Sequence, residues 1–212
     1  VEPDPELGTT AGFLYQLNGE KPDEASARAL DAYFIVGADH GFNASTFAAR
    51  VTASTGADLY ACVEGALTAL SGPKHGGAAD RCEALLAEIA RHDSVHEALF
   101  GRVRRGGSTP GFGHPLYPDG DPRYRKLCTV LPDISGDHLA LAAELEEEAE
   151  ALELGAPTVD LGLAIVADAL GVGPSGASTL FAIGRMAGWI AHAIEQNEQG
   201  HLLRPRASYI GD

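Results

Sequence analysis

The chain has 212 residues, 45% of them hydrophobic and 21% charged, the balance of a folded globular protein rather than a disordered one. Its 30 acids against 15 bases leave a formal net charge of -15, which argues against a broad nucleic-acid or anionic-membrane surface because phosphate binding needs clustered Lys and Arg. A small anionic substrate needs only a few well-placed cations and stays open. Cys62, Cys82 and Cys128 are odd in number and lack CxxC spacing, so neither a disulfide framework nor a zinc site is expected. No run of about 18 apolar residues could span a bilayer. The opening VEPDPELGTT lacks the basic and apolar regions of a signal peptide, so a cytoplasmic protein is expected.

Helical periodicity dominates the chain. Residues 24–38 carry apolar positions at three- and four-residue spacing after a Pro-Asp start signal at 22 and 23. From Asn43, NASTFAARVTASTGADLYACVEGALTAL reads as one long helix or two, with Asn43 or Ser45 as N-cap and Gly56 as the possible break. SGPKHGG stops it. Two shorter amphipathic helices follow at 79–90 and 93–104, then the glycine-rich RRGGSTPGFGH as loop. PRYRKLCTVL reads as helical from Pro122, a residue well suited to a first helical position. LALAAELEEEAEALEL is a helix whose acidic run reads as a solvated face. TVDLGLAIVADALGV is apolar and helical, GPSG breaks it, and STLFAIGRMAGWIAHAIEQNEQ is the last long helix before an irregular tail. No alternating strands and no fixed-period repeat appear, and the class is all-α.

Three histidines stand in glycine-flanked or polar breaks: His40 in GADHGF, His75 in GPKHGG and His114 in GFGH. Glycine permits unusual backbone angles and close approach of a ligand to the main chain. His92, His96, His138 and His201 read as surface residues, and His192 as a satisfied core histidine one turn past Trp189. Arg185 is the arginine least comfortable on a purely structural reading, because it lies in an otherwise apolar helix and a buried charge needs a partner. That partner is either an internal acid or a ligand carboxylate, which guanidinium binds bidentately. Asp160 is the only acid between Glu153 and Asp168. It is either a first-turn acid favoured by the helix dipole or a carboxylate of raised pKa suited to general-base work.

Taken in order, GADHGFNASTFAARV, ALSGPKHGGA, GFGHPLYPDGDPR, a Val-Asp pair before an apolar helix, FAIGRMAGWIAHAIEQ and RPRASYIG resemble the citrate synthase family over nearly the whole chain. FLYQLNGEKPD matches the style of the family's segment ahead of the first histidine motif. The resemblance implies an all-α fold with a large helical domain (residues 1–76 and 176–212) and a smaller inserted helical domain (77–175). It implies that His75, His114 and Asp160 are catalytic. Asp160 would take a proton from an acyl-CoA thioester, His75 would hydrogen-bond the thioester oxygen as a neutral donor, and His114 would polarise the ketone of oxaloacetate. By the same pattern His40, Arg123 and Arg185 would hold oxaloacetate, and Arg204 would reach a substrate bound by the other subunit of a dimer. The backbone of Gly111, Phe112 and Gly113 would lie along the coenzyme A thioester, a co-substrate rather than a resident cofactor. No metal is expected.

Two departures stand out. The chain is shorter than a complete citrate synthase subunit, and the portion expected to be missing is N-terminal. Pairing is therefore expected, as a homodimer or with a chain supplying that portion. At the aspartate many members read VDFYSG, whereas this chain reads VDLGLA. Three functions follow as expectations: condensation of acetyl-CoA or propionyl-CoA with oxaloacetate, citryl-CoA cleavage, or a non-catalytic module on the same fold.

Overall fold

The computed structural model describes residues 2, 4–208 and 210, and every regular element among them is a helix. Most helix starts are written locally. Asp23 accepts from the Ser26 N–H at 2.7 Å and opens α2 (Glu24–Ala38). Asn43 accepts from Thr46 at 3.0 Å and opens α3 (Ala44–Ser54), so Asn43 rather than Ser45 is the cap. Asp58 does the same for α4 (Leu59–Leu70), and Gly56, at φ 83°, is the break between the two. Each such cap contributes about 1 kcal/mol. A further helix, α1 (Thr9–Asn18), lies outside the elements expected from the sequence. It begins at Gly8 with no side-chain cap, and tertiary contact supports it: Leu14 is buried and Phe13 meets Phe34 of α2 edge to face at 6.1 Å.

The chain then runs through α5 (Gly77–Ile89), α6 (Val95–Arg104), α7 (Pro122–Cys128), the single turn α8 (Leu131–Ile134), α9 (Gly136–Ala151), α10 (Val159–Ala169) and α11 (Gly176–Gln199). α10 is apolar all round and is buried accordingly. Leu161, Leu163, Ala164, Ile165 and Val166 are fully enclosed by α5, α7, α9 and α11. Burying such a Leu or Ile contributes about 1.5–3 kcal/mol, and the consequence for function is positional. A helix held on every side presents its first turn, with Asp160, at a fixed point.

α11 packs along α2, α3 and α4, while α5 to α10 pack mainly among themselves. α2 packs closely on α11, where a Cβ on Gly184 would lie 3.1 Å from the Phe34 Cα and one on Gly188 would lie 2.1 Å from the Ala38 carbonyl oxygen. Between the sets, Glu83 of α5 accepts from the N–H groups of Ser175 (2.9 Å) and Ala177 (2.6 Å), serving the α11 N-terminus that Ser175, at φ 63°, does not cap itself. The Tyr33 hydroxyl of α2 donates to the Ala177 carbonyl at 2.5 Å. No helix among the described residues is long and apolar enough to cross a membrane.

Candidate active site

Six of the residues singled out by sequence converge between these two sets of helices. His40 lies in the turn from α2 to α3, and His75 in the turn from α4 to α5. His114 lies in the loop before α7, Arg123 and Asp160 stand in the first turns of α7 and α10, and Arg185 lies midway along α11. Arg123, Arg185, His114 and His75 all stand close enough to bear on the charge of His40, and Arg123 and His114 bear on that of Asp160.

Each imidazole has one nitrogen occupied by a fixed donor. The Arg123 Nη1 stands 2.9 Å from His40 Nδ1, and since guanidinium can only donate, this nitrogen of His40 is the acceptor. His75 Nε2 accepts from the Ser45 backbone N–H at 3.2 Å, and His114 Nδ1 from the Leu116 N–H at 3.1 Å. A nitrogen that accepts cannot carry the proton, so each ring is a neutral imidazole in a defined tautomer. The other nitrogen is left as an N–H donor: Nε2 on His40 and His114, Nδ1 on His75. Burial, with the cations Arg123 and Arg185 adding to it, lowers the pKa of His40 to about 4. Burial also lowers that of His75.

Local sequence explains these placements. Gly76 lets the chain turn behind His75, because a Cβ there would meet the Leu70 carbonyl oxygen at 2.0 Å. Arg81 of α5 donates to the Pro73 carbonyl at 3.2 Å and braces the same turn. Trp189 of α11, fully buried, donates from Nε1 to Ser45 Oγ at 3.1 Å, fixing the residue whose N–H serves His75.

The two cations differ in their partners. Arg123 forms a bidentate pair with Asp121, Nε to Oδ1 at 2.9 Å and Nη2 to Oδ2 at 2.8 Å, and its guanidinium lies 5.0 Å from the Tyr117 ring centre. With Nη1 on His40, three of its five N–H groups are engaged and two remain for a ligand carboxylate. Asp121 also accepts from the Val159 N–H at 3.0 Å, tying Arg123 to the first turn of α10. Arg185 is fully buried and has no carboxylate within ion-pair distance among the described residues. It donates to the Ala38 carbonyl, to Gly41 at 3.2 Å and to Thr46 Oγ1 at 2.7 Å, gripping the backbone on both sides of His40, and its Nε has no partner. Of the two partners the sequence allows for Arg185, the internal acid is present only at a distance, as Asp39, which favours the charge without forming an ion pair.

Asp160 keeps some accessible surface, yet its carboxyl is densely packed about, and burial is the largest influence raising its pKa. Arg123, His114 and Arg81 pull the other way, while Asp121 adds to the rise. No hydrogen bond occupies its carboxylate among the described side chains.

Other expected residues sit elsewhere or do less. Gly111 and Gly113 are zipped to the strand-like segment before α10: the Thr158 N–H donates to Gly111 O and the Gly113 N–H to Ala156 O, both at 2.9 Å. A Cβ on Gly111 would strike Leu161 at 2.9 Å and Cys82 at 3.0 Å, so internal packing alone already requires this glycine. Phe112 is 9% exposed and joins the core. Arg204 is exposed in the tail, which Leu203 tethers to Ser54 at the far end of α3. That end is about 14 Å of helix away from Ser45. His192 is not a core histidine: it is 27% exposed and faces Arg50 and Glu195. The supporting roles of Asp121, Ser45 and Arg81 do not show in the sequence. Only the Asp of the DPR triplet carries a readable signal, as a potential N-cap.

Fold and site together define an all-helical protein that gathers, where its two sets of helices meet, three imidazoles with free N–H groups, partly free guanidinium groups and a carboxylate whose pKa burial raises. The family model for the citrate synthase C-terminal domain matches residues 1–206, and the chain belongs to the citrate synthase family. It is 36% identical to citrate synthase 2 of Bacillus subtilis and 39% identical to the citrate synthase of Haloferax volcanii, in each case over all of this chain and 58% of the relative. The chain thus spans less than two thirds of the length of these curated relatives. Among solved structures, the citrate synthase of Thermotoga maritima MSB8 superposes with a TM-score of 0.82 at 36% identity, covering all of this chain and 60% of that one. The citryl-CoA lyase of Hydrogenobacter thermophilus superposes with a TM-score of 0.88 at 27% identity, over 98% of this chain and 86% of that one. The Thermoplasma acidophilum citrate synthase, solved as a ternary complex with carboxymethyl coenzyme A and oxaloacetate, gives 0.80 at 32% identity, over 99% of this chain and 58% of that one.

Proposed function

We propose that the cleft condenses an acyl-CoA thioester with oxaloacetate, giving citrate or 2-methylcitrate and free coenzyme A. One observation supports this above the others: three imidazoles, each with one ring nitrogen accepting from a fixed donor and the other free to donate, gather about Arg123 and Arg185, and His114 and Arg123 bear on Asp160, whose carboxyl burial raises. Proton abstraction beside a thioester carbonyl needs a base and a neutral donor to the developing enolate oxygen, and a cationic acid is not required. Asp160 takes the proton from the carbon next to the thioester while the Nδ1–H of His75 donates to the thioester oxygen. The enolate carbon then bonds to the ketone carbon of oxaloacetate, whose oxygen receives the Nε2–H of His114 and becomes the hydroxyl of citryl-CoA. Water cleaves the thioester and releases coenzyme A. Arg123 and Arg185, with the Nε2–H of His40, hold the oxaloacetate carboxylates. Positioning of this kind lowers a barrier by roughly 7–11 kcal/mol.

In the same reading α5 to α10 form a small domain that closes on the α2–α4 and α11 body and excludes water before enolisation. The active assembly is a homodimer or a pairing with a chain that supplies further coenzyme A contacts, with Arg204 reaching the neighbouring subunit's site. The 111–113 backbone lines the coenzyme A path.

The test is oxaloacetate-dependent thiol release from acetyl-CoA and propionyl-CoA. Asp160→Asn should lower turnover by roughly a thousandfold while calorimetric oxaloacetate binding is retained. Unchanged turnover in that variant would remove Asp160 from the mechanism. A second reading, citryl-CoA cleavage, draws support from the TM-score of 0.88 with the lyase. It uses the same groups in reverse, and release of acetyl-CoA from supplied citryl-CoA without thiol release would favour it.

A further inference from the structure

The Asp121 side chain is fully enclosed, and its carboxylate accepts four hydrogen bonds, two on each oxygen. Oδ1 receives the backbone N–H and the Nε of Arg123, both at 2.9 Å. Oδ2 receives Arg123 Nη2 at 2.8 Å and the Val159 N–H at 3.0 Å. The bond to the Arg123 N–H caps α7, and the bond to Val159 reaches 38 residues along the chain to the first residue of α10. One carboxylate thus serves two helix starts and one guanidinium. With all four of its acceptor sites answered, it has a single orientation.

α10 relies on this outside acceptor. Thr158, in its cap position, has the extended backbone of an N-cap (φ -105°, ψ 166°) but makes no side-chain cap bond, and its buried hydroxyl has no partner. The Val159 N–H is one of the first four that a helix cannot satisfy internally, and Asp121 answers it where a cap side chain ordinarily serves the helix start. Asp160 is the next residue. Asp121 therefore joins two groups that must be in register, the Arg123 guanidinium and the Asp160 carboxyl. Their charges are linked as well: burial raises the pKa of Asp160, Arg123 lowers it, and Asp121 adds to the rise. We propose that Asp121 is a positioning residue for the base: through the Val159 N–H it holds the first turn of α10, and Asp160 with it, in register with Arg123. The roles of base and clamp rest on the condensation proposed above, but the placement itself can be measured without turnover. Asp121 touches neither reactant in this scheme, yet it aligns the group acting on one with the group holding the other.

Val159→Pro tests this at one atom. Position 159 is the first of α10, where proline is well tolerated, and Thr158 already has the extended backbone that a following proline requires. The substitution deletes the N–H that Asp121 receives and leaves the Asp121–Arg123 pair intact. Val159→Ala, which trims the side chain and keeps the N–H, is the reference. The first readout is the titration of the Asp160 carboxyl carbon by carbon-13 NMR, identified by its absence in Asp160→Asn. Arg123, Asp121, His114, Arg81 and Cys82 of α5, and Tyr33 of α2 all face this carboxyl electrostatically, and neither variant alters any of them. Because burial raises the carboxyl, release of the turn should bring the titration in Val159→Pro below that in Val159→Ala, toward the ordinary carboxylate range. The second readout is oxaloacetate-dependent thiol release. Its kcat should be about tenfold lower in Val159→Pro than in Val159→Ala, within the hundredfold that a misplacement of about 1 Å can cost. Calorimetric oxaloacetate affinity should agree between the two, since the clamp is untouched. Equal titrations, or a lowered titration with equal kcat, would overturn the proposal and leave Asp121 as the counter-ion of Arg123 alone. Absence of thiol release from every form, the parent included, would remove the condensation instead, and the titration would then decide by itself whether Asp121 places Asp160.

Discussion

α11 carries one buried arginine, Arg185, and packs against another, Arg50, and the two share a neighbourhood and little else. Arg50 of α3 meets the C-terminal half of α11 with every donor group answered by a side chain: Nε on Gln196 at 3.1 Å, Nη1 on Glu195 and 3.2 Å from His192, and Nη2 on Gln199 at 3.2 Å. Arg185, nearer the middle of the helix, has two backbone carbonyls, one hydroxyl, an unpartnered Nε and no carboxylate. Yet Arg185 is the more deeply buried of the two, fully enclosed against 8% exposure for Arg50. For a purely structural cation the order would be reversed, because desolvation grows with burial and must be met by an internal acid. The difference teaches that an arginine whose three nitrogens are all answered by side chains is a brace, while one left partly unanswered is the seat proposed above for a ligand carboxylate.

The largest expected effect tests that distinction directly. Arg185→Met should weaken oxaloacetate binding by about a hundredfold, as expected when one partner of a buried charge pair is removed. Arg50→Met should leave that affinity nearly unchanged and instead lower unfolding stability by about 2 kcal/mol through its lost charged hydrogen bonds. Calorimetry and urea unfolding on both variants decide it. Equal loss of oxaloacetate affinity in the two would erase the contrast.

The charges around Arg185 sharpen the comparison through pH. His40 has a folded pKa of about 4, set first by burial and then by Arg123 and Arg185, against 6.5 for a free histidine. The unfolded chain therefore takes up a proton at a pH where the folded chain does not. This contribution to stability is complete above about pH 6.5 and is lost as the pH falls toward 4. Urea midpoints measured between pH 7 and 5 should fall, and His40→Gln should flatten the decline. Asp160 has the opposite sign. Its carboxyl is raised by burial, so the stability it contributes is present below its ordinary pKa and is lost as pH rises through the folded value. Asp160→Asn should accordingly be more stable than the parent at pH 7, the usual relation between a working residue and the fold that holds it. An Asn variant less stable than the parent at pH 7 would mean that the ionised carboxylate is favoured, not penalised, at this position.

What the sequence disclosed and what it withheld divide along contact distance. Helices opened by a local cap (Asp23, Asn43, Asp58) were legible because cap and capped N–H lie three residues apart. α1 was not, since Gly8 gives no capping side chain and the helix depends on its contact with α2. The start of α11 is served by Glu83 from 92 and 94 residues away, which no window could reveal. The glycine-flanked histidines and the arginine stranded in an apolar helix could be picked out, because each breaks a local pattern. Their supports could not: Asp121 reaches 38 residues to Val159, and Ser45 meets Trp189 across 144. His192 looked like core because its helix is apolar, whereas its own face turns to Arg50 and Glu195.

Ser45 lies between the two arginine sites, and it carries the smallest and most discriminating expectation. Its side chain accepts from Trp189, and its backbone N–H donates to His75 Nε2. Ser45→Ala deletes the first contact, together with the bond its hydroxyl donates to Asn43 Oδ1 at 2.8 Å, and keeps the second. It leaves the Trp189 N–H unpartnered in a buried position, which costs about 1–3 kcal/mol of stability, but it leaves the tautomer of His75 in place, so turnover should change little. Ser45→Pro deletes the second contact as well. The position falls in the first turn of α3, where a missing N–H interrupts no intrahelical bond. Without that donor the proton of His75 is free to sit on Nε2, and the Nδ1–H assigned to the thioester oxygen is no longer the enforced form. Turnover in the Pro variant should fall about tenfold below that of the Ala variant, near the low end of what a positioned proton donor contributes. The drop should appear in kcat rather than in oxaloacetate affinity. If Ala and Pro at this position turned over equally well, the Ser45 N–H would be structural only, and the neutral-donor role of His75 would lose the contact that fixes it.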